Sequence, residues 1–267
     1  MASHLIPILA AVILFSSQSF AQSKSSSKNC HRNFIIGLNA EVVSRDKVGV
    51  EKISADLLSE IKKRVPCSFD ERNISFTRAS EDLRMRRIDM YAFAFSIPEF
   101  LEFSDPVLLY SVNRLLVVKK DFYKEGASAE DYLKNPKLRL GAISGGRFFT
   151  SDKEIELLQK QDRISFDPFP DGMFKLFEQG KIQAFFISPT YYNLYAQKYS
   201  LKEKTRVIAD KSTLDLALFL SKTRMSESEK SLFRNAIKSM RTDGSIKKIL
   251  LKYLPPSEVE KYYQTKN

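Results

Sequence analysis

The chain has 267 residues, with 43 Lys or Arg against 32 Asp or Glu, so its formal net charge is +11 at pH 7. A hydrophobic fraction of 43% is typical of a globular protein and excludes a disordered or fibrous chain. His4 and His31 are the only histidines, which argues against a Ser-His-Asp triad or a two-histidine zinc site. The basic residues are scattered without interleaved aromatics, so we expect no nucleic-acid binding.

The N-terminal segment has the pattern of an export signal. Residues 5–15 (LIPILAAVILF) form the only long apolar run, and Ser19-Phe20-Ala21 resembles an A-x-A cleavage site. The run is shorter than the roughly 20 residues that a membrane-spanning helix needs. We therefore predict a signal peptide over residues 1–21, a polar leader over 22–31, a periplasmic location and no stable membrane insertion. A retained N-terminal anchor is the alternative.

The chain contains two cysteines, Cys30 at the end of the leader and Cys67 after the first predicted helix. An even pair in an exported chain predicts a disulfide, here closing a loop of about 38 residues. Two unrelated thiols are the alternative. Two isolated cysteines and one mature histidine lack the clustering of a zinc site, so we expect no metal and no cofactor.

Apolar periodicity predicts strands and helices that alternate along the chain. The first series has strands at 34–38, 74–76, 88–95 and 106–118, with helices at 51–65 and 81–86. The second has strands at 139–143, 164–166, 182–187 and 206–220, with helices after 146 and at 173–179, 226–241 and 246–254. This order predicts two small α/β units.

The same order of segments resembles a known family. The series RRIDMYAFAFS, EFSDPVLLYSVNRLLVVKK, LKNPKLRLGAISGGRFF, FEQGKIQAFFIS and FRNAIKSMRTDGSIKKILLKYL is similar to the family 3 periplasmic solute-binding proteins, the amino-acid receptors of ABC importers. The resemblance covers about residues 32–254. It implies an α/β, two-lobe, type II periplasmic-binding-protein fold, in which two hinge strands join lobes that close on a ligand.

The resemblance also implies a domain layout and a function. Lobe 1 would comprise 32–109 and 217–254, the hinge region 110–117 and 213–216, lobe 2 118–212, and a C-terminal tail 255–267. The implied protein is a monomer that is not an enzyme and captures a small ligand between its lobes. Its candidate protein partner is an ABC-transporter permease.

Candidate ligand-binding residues follow predicted strands, because open α/β sheets bind ligands beyond the carboxyl ends of their strands. The turn from Ser144 to Arg147 enters a helix, so its N–H groups and the Arg favour an anion. Two further arginines can reach an anionic ligand. Each residue also has a structural interpretation, as a helix cap or a solvated side chain. The candidates are Asn39, Glu41, Arg78, Ser96, Arg114, Ser144, Gly145, Gly146, Arg147 and Ser188.

Two positions depart from the family pattern. Amino-acid-binding members carry an Arg shortly after the strand that ends here at Ser96, but residues 96–103 are shortened and contain none. The Asp that accepts the ligand ammonium is replaced by Ser188. We therefore predict a small polar or anionic ligand and not a standard α-amino acid, unless Arg114 binds the ligand carboxylate in place of the missing Arg.

Two other function classes stay open at this point. One is a dehydratase-like enzyme on the same scaffold, with Glu41 or Asp171 as the acid or base. The other is an envelope interaction protein whose cleft no longer binds a ligand. Tyr91, Phe93 and Phe95 alternate along one strand, so we expect them to share one face. Packing of this face in the core is favoured over contact with a ligand.

Overall fold

The structure is a computed structural model that describes residues 32–39, 50–144 and 150–264. Strands and helices alternate along these ranges. The strands are β1 (Asn33–Asn39), β2 (Ser68–Ile74), β3 (Met90–Phe95), β4 (Ser104–Lys119), β5 (Leu140–Ile143), β6 (Ile164–Asp167), β7 (Ala184–Ile187), β8 (Thr205–Ser221) and β9 (Tyr263–Gln264). The helices are α1 (Val50–Arg64), α2 (Phe76–Arg84), α3 (Pro98–Phe103), α4 (Ala129–Lys134), α5 (Asp152–Lys160), α6 (Pro170–Glu178), α7 (Pro189–Lys198), α8 (Glu227–Thr242), α9 (Ser245–Tyr253) and α10 (Pro256–Tyr262).

The strands form two half-sheets that share the long strands β4 and β8. The order along the sheet is β2-β1-β3-β8-β4-β7-β5-β6, and β9 pairs with β4 outside this path. In the first lobe, β1 is parallel to both β2 and β3. In the second lobe, β5 is parallel to both β6 and β7. Short helical crossovers join these parallel strands, as the predicted α/β units require.

The β4–β8 ladder is interrupted where the two lobes meet. Asn113 pairs with Thr213, and the next pair is Leu115 with Ala209. Arg114 on β4 therefore lies opposite residues 210–212 on β8. A bulge of this kind bends the strands and breaks the continuity of the ladder. It lies at the point where the predicted hinge region begins on β8 and within the predicted hinge residues 110–117 of β4.

Helix α1 shows how the apolar pattern builds the core. Its Ile53, Leu57 and Ile61 recur at helical spacing, and each is at least 97% buried. Strands β5 and β7 are buried along their whole length, as expected for parallel strands covered on both faces. Ser128, Ser151 and Ser226 form capping boxes that fix the starts of α4, α5 and α8.

Three sequence expectations differ from the structure. The strand expected at 74–76 ends at Ile74, and Phe76 already begins α2. A tail was expected beyond residue 255, but Pro256–Gln264 form α10 and β9. Tyr91 and Phe93 do not share one core face, because β3 bulges between Tyr91 and Ala94 and Phe93 has a φ of 60°. They pack in separate apolar clusters.

Cys67 is not a free thiol, and its predicted partner Cys30 lies outside the described residues. The Cys30–Cys67 bond therefore stays a prediction. Across 32–39, 50–144 and 150–264, no helix is both long enough and apolar enough to cross a membrane.

Candidate functional site

The strand directions show which edges of the two half-sheets face each other. β8 is antiparallel to β3 and to β4, so β3 and its parallel neighbours run in the direction of β4, from the first lobe toward the second. β7 is antiparallel to β4, so β5, β6 and β7 run from the second lobe toward the first. The carboxyl ends of the parallel strands in both lobes therefore face each other across the hinge, where ligands bind in open α/β sheets.

Ser96 lies at this edge of the first lobe, directly after β3. Its backbone N–H donates to the carbonyl of Asp215 in β8 at 3.0 Å. The Asp215 carboxylate accepts a hydrogen bond from the buried hydroxyl of Ser111 in β4. Asp215 thus places a partly exposed carboxylate in the hinge beside Ser96, and sequence analysis missed it. The signal was a single carboxylate between Leu214 and Leu216 in an apolar strand.

Ser144 lies at the opposing edge of the second lobe, at the end of β5. Its backbone N–H donates to the carbonyl of Asp167 at 2.8 Å, which joins the ends of β5 and β6. The Asp167 carboxylate in turn accepts from the backbone N–H of Phe169 at 2.9 Å. A Cβ added to Gly172, in the first turn of α6, would lie 2.1 Å from that carboxylate, so a larger residue there would displace the Asp167 side chain.

The predicted Gly-rich turn and the residues after β1 cannot be placed. Gly145, Gly146 and Arg147 lie outside the described residues, as does Glu41. Asn39 ends β1 with its backbone paired to Ile74, and its side chain is not described.

Thr150 is a second residue that sequence analysis missed. It follows residues 145–149 and precedes Ser151, which caps α5. Thr150 is 98% buried, and its hydroxyl has no hydrogen-bond partner among the residues that the structure describes. A hydroxyl can act as donor and acceptor, and Thr150 lies in the chain between the end of β5 and the start of α5.

Ser188 is the N-cap of α7, directly after β7, and is 98% buried. Its hydroxyl accepts from the backbone N–H of Tyr191 at 3.4 Å. This contact satisfies one of the free N–H groups in the first turn of the helix. Ser188 therefore has a structural role, and it supplies no charge at the position where the family pattern has a carboxylate.

Arg114 is buried within the structure, and its guanidinium contacts two carboxylates of the same chain. It forms hydrogen bonds of 2.8 Å to both oxygens of Glu154 in α5. It also donates from two nitrogens to Asp210 in β8, at 2.9 and 2.5 Å. Its face lies 3.8 Å above the centre of the Phe186 ring. Burial lowers the pKa of Arg114, but the bonds to both carboxylates raise it above its ordinary value.

Arg78 is placed quite differently, in the first turn of α2. Its side chain is 63% exposed and lies 3.3 Å from the carboxylate of Asp82. Asp82 is buried and also pairs with Arg87 at 3.2 Å. An exposed arginine of this kind contributes little to stability and keeps conformational freedom.

Comparison with solved structures gives the fold. The arginine-, lysine-, histidine-binding protein ArtJ of Geobacillus stearothermophilus matches with a TM-score of 0.65 and 18% identity, over 86% of this chain and 99% of that one. The GluR0 ligand-binding core of Nostoc punctiforme, in complex with L-glutamate, matches with a TM-score of 0.63 and 13% identity, over 84% and 100%. This chain has the type II periplasmic-binding-protein fold.

A third structure of similar fold is a histidine kinase sensor domain described as similar to periplasmic binding proteins. It has a TM-score of 0.64 and 13% identity, over 84% of this chain and 96% of that one. No protein-family model matches the sequence, and no curated protein matches it. The type II fold, with two lobes and two long hinge strands, confirms the fold class expected from the sequence.

Proposed function

We propose that the protein is an exported solute-binding protein that captures a small polar or anionic ligand in the interlobe cleft. The observation that carries this proposal is the facing arrangement of the two sets of strand ends. Ser96 follows β3 of one lobe and Ser144 follows β5 of the other, so both lie at these facing edges. Their hydroxyl groups, one on each side, suit a ligand rich in oxygen atoms.

Two positions support a ligand other than a standard α-amino acid, because neither Ser188 nor Arg114 offers a free charge, although Asp215 leaves one partly exposed carboxylate in the hinge. A zwitterion enclosed in a cleft needs a cation for its carboxylate and an anion for its ammonium, since an unpartnered buried charge costs several kcal/mol. Ser188 offers a hydroxyl that already caps α7. The three side-chain nitrogens of Arg114 donate to Glu154 and Asp210. This arrangement therefore argues against Arg114 as the residue that binds a ligand carboxylate.

Ligand capture would use the interrupted hinge. We propose that 32–109 with 217–254, and 118–212, move as rigid bodies about β4 and β8. A ligand can shift such an equilibrium only if it binds the closed form better than the open one. Small-angle scattering with and without a bound ligand tests this step, and one invariant lobe angle would contradict it.

Cell location and protein partner belong to the same proposal. The apolar run at 5–15 with the site after Ala21 supports cleavage and export to the periplasm. The candidate protein partner there is an ABC-transporter permease. N-terminal sequencing of the protein recovered from the periplasmic fraction tests cleavage. Recovery of uncleaved chain with the membranes would contradict it.

Enzyme activity on this scaffold has little support from the described residues. Asp171 was one candidate acid or base. Partial burial acts to raise its pKa, but hydrogen bonds from Lys198, Tyr199 and Lys175 lower it to about 2. A group with this pKa cannot hold a proton near neutral pH and is a weak base. Glu41, the other candidate, lies outside the described residues.

A thermal-shift panel tests the ligand class. It uses mature protein purified without refolding, with the twenty amino acids, organic acids, sugars and inorganic phosphate at low millimolar concentration. A ligand at 100 times its dissociation constant adds about 2.7 kcal/mol of stability. We expect shifts only among the organic acids, sugars or phosphate. A clear shift with any standard amino acid would overturn the ligand class, and no shift with any compound would favour an interaction protein.

Variants then locate the binding site. Titration of the best compound against Ser96→Ala and Ser144→Ala should show weaker binding than against wild type. Ser212→Ala is the matched control, because Ser212 is exposed in the interruption of the β4–β8 ladder. Equal affinities for all four proteins would place the ligand outside the cleft.

A further inference from the structure

Residues 256–264, which comprise α10 and β9 and which we call the clasp, contact the hinge itself. β9 pairs antiparallel with β4, joining Val112 to Tyr263 and Ser111 to Gln264. On the same edge of β4, pairing with β7 begins only at Leu115. β9 therefore adds a third, short strand to the hinge, on the edge that β8 does not cover.

The clasp is also fixed to the first lobe. Helix α10 packs against α9, which belongs to that lobe, and its Val259 is 97% buried in the main apolar cluster. Lys247 in α9 forms an ion pair of 2.5 Å with Glu260 in α10. Because Val259 is buried, movement of α10 away from α9 would expose apolar surface to water.

The same segment contacts α7 of the second lobe. The hydroxyls of Tyr263 and Thr190 form a buried hydrogen bond. The side-chain amide of Asn193 donates to the carboxylate of Glu258. The Tyr263 ring also packs against Tyr110 of β4, with ring centres 5.5 Å apart. Burial raises the pKa of Tyr263, so its hydroxyl stays neutral at physiological pH.

We propose that the clasp restrains lobe movement and holds the two lobes in the arrangement seen here. Rotation of the second lobe about the hinge moves α7 relative to β9 and α10. It must therefore break the Thr190–Tyr263 bond, which leaves two buried hydroxyls without a partner. The clasp spans both lobes and the hinge, so it acts on the lobe angle whether or not a ligand is bound.

Pulsed electron paramagnetic resonance, which measures distances between the lobes, tests this restraint on ligand-free, full mature protein. Spin labels are attached through p-acetylphenylalanine at Glu81 in α2 and Lys160 in α5, which leaves the cysteines unchanged. Both side chains are more than half exposed, one on each lobe. The Tyr263→Phe variant removes the hydroxyl and keeps the ring. Tyr262→Phe is the matched control, because Tyr262 is the neighbouring tyrosine and lies outside the Thr190 contact.

We expect Tyr263→Phe to raise the population of lobe distances that are rare in wild type by about 2- to 13-fold, the range for loss of one net hydrogen bond. Thr190→Val should have the same effect, and the double variant should add little, because both changes remove one bond. Tyr262→Phe should leave the distribution unchanged.

Distance distributions of Tyr263→Phe and Thr190→Val that superimpose on wild type, in folded proteins with cooperative melting, would overturn the proposal. An equal change in Tyr262→Phe would also overturn it. A chain ending at Pro255 is the stronger variant, and if folded it should show a broader distribution than either point variant. If it does not fold, the point variants decide. Since no ligand is added, the result does not depend on the proposed function.

Discussion

Two parallel hydrogen bonds of 2.8 Å join the guanidinium of Arg114 to the carboxylate of Glu154. Glu154 also accepts from the backbone N–H of Ser151, the N-cap of α5, at 2.7 Å. The pair therefore connects the interrupted hinge strand β4 to the start of the helix that follows the predicted Gly-rich turn. A bidentate contact of this kind fixes orientation as well as distance.

Replacement of Arg114 by Met should destabilise the fold strongly. It would leave the carboxylates of Glu154 and Asp210, each with a side chain 15% exposed, without their shared cation. Removal of one partner of a buried ion pair costs about 3 to 5 kcal/mol. Urea unfolding followed by circular dichroism measures this loss. The matched control is Arg78→Met, which should change stability by less than about 1 kcal/mol because that side chain is 63% exposed. Similar losses in both variants would contradict the structural role of Arg114.

Ser188→Ala should lower the free energy of unfolding by about 1 kcal/mol. The change removes the hydroxyl that caps α7 and leaves a helix N–H without its acceptor. Ser212→Ala, at an exposed position, should stay within about 0.5 kcal/mol of wild type. Guanidinium titrations of the three proteins provide the comparison. A neutral Ser188→Ala would show that its hydroxyl contributes nothing as a cap.

Cys30 and Cys67 should be joined in the mature protein. Unreduced protein, denatured and treated with iodoacetamide, should gain no mass from alkylation, and digestion should yield one peptide that contains both cysteines. The chain-entropy model gives about 4 kcal/mol for a loop of this length, so reduction should lower the melting temperature. Two alkylated cysteines in protein recovered from the periplasm would contradict the bond.

Asp171 should contribute stability that is lost in acid. Its pKa in the folded protein is about 2, below the ordinary 3.8. The ionised form is therefore favoured by folding, and its contribution is complete above about pH 5 and is lost as the pH falls through 3.8 and then 2. The Asp171→Asn variant should be less stable than wild type at pH 6, and the two should converge near pH 2.

Melting temperatures between pH 2 and pH 6 measure this difference. On unfolding in acid, the variant should take up about one proton fewer than wild type, at most. The control is Glu130→Gln, whose side chain is 72% exposed in α4 and should give a curve parallel to that of wild type. A constant gap between Asp171→Asn and wild type at every pH would mean that the carboxylate charge is not the cause.

The buried elements were predictable from the sequence because apolar residues on a buried face recur with the period of the helix or strand. Helix α1 and strands β1 and β7 carry unbroken apolar patterns, and their bounds differ from the predicted ones by one or two residues. Strand β2 was misplaced because only its last residue, Ile74, is buried, so its sequence lacks the alternation of a half-buried strand. Edge strands that face solvent lack the apolar alternation of inner strands.

The parts of the site that the sequence could not reveal depend on distant contacts. Arg114 was a ligand candidate, but its partners Glu154 and Asp210 lie 40 and 96 residues away along the chain. The clasp was missed for the same reason, since Tyr263 pairs with Thr190, 73 residues before it. Local sequence patterns do not reveal such distant pairs. These pairs determine which arginine or hydroxyl remains free to bind a ligand.

The position of β8 between β3 and β4 also sets the order in which the chain can fold. The second lobe draws its sheet from one continuous stretch, from Leu115 of β4 to the first residues of β8. In the first lobe, β3 reaches β4 only through residues 214–221, which are synthesised after the whole second lobe. Contacts between residues far apart in sequence form slowly, because a long loop must first close. During synthesis the second lobe can therefore complete its core first, and the first lobe remains open until residues 214–221 of β8 have been made.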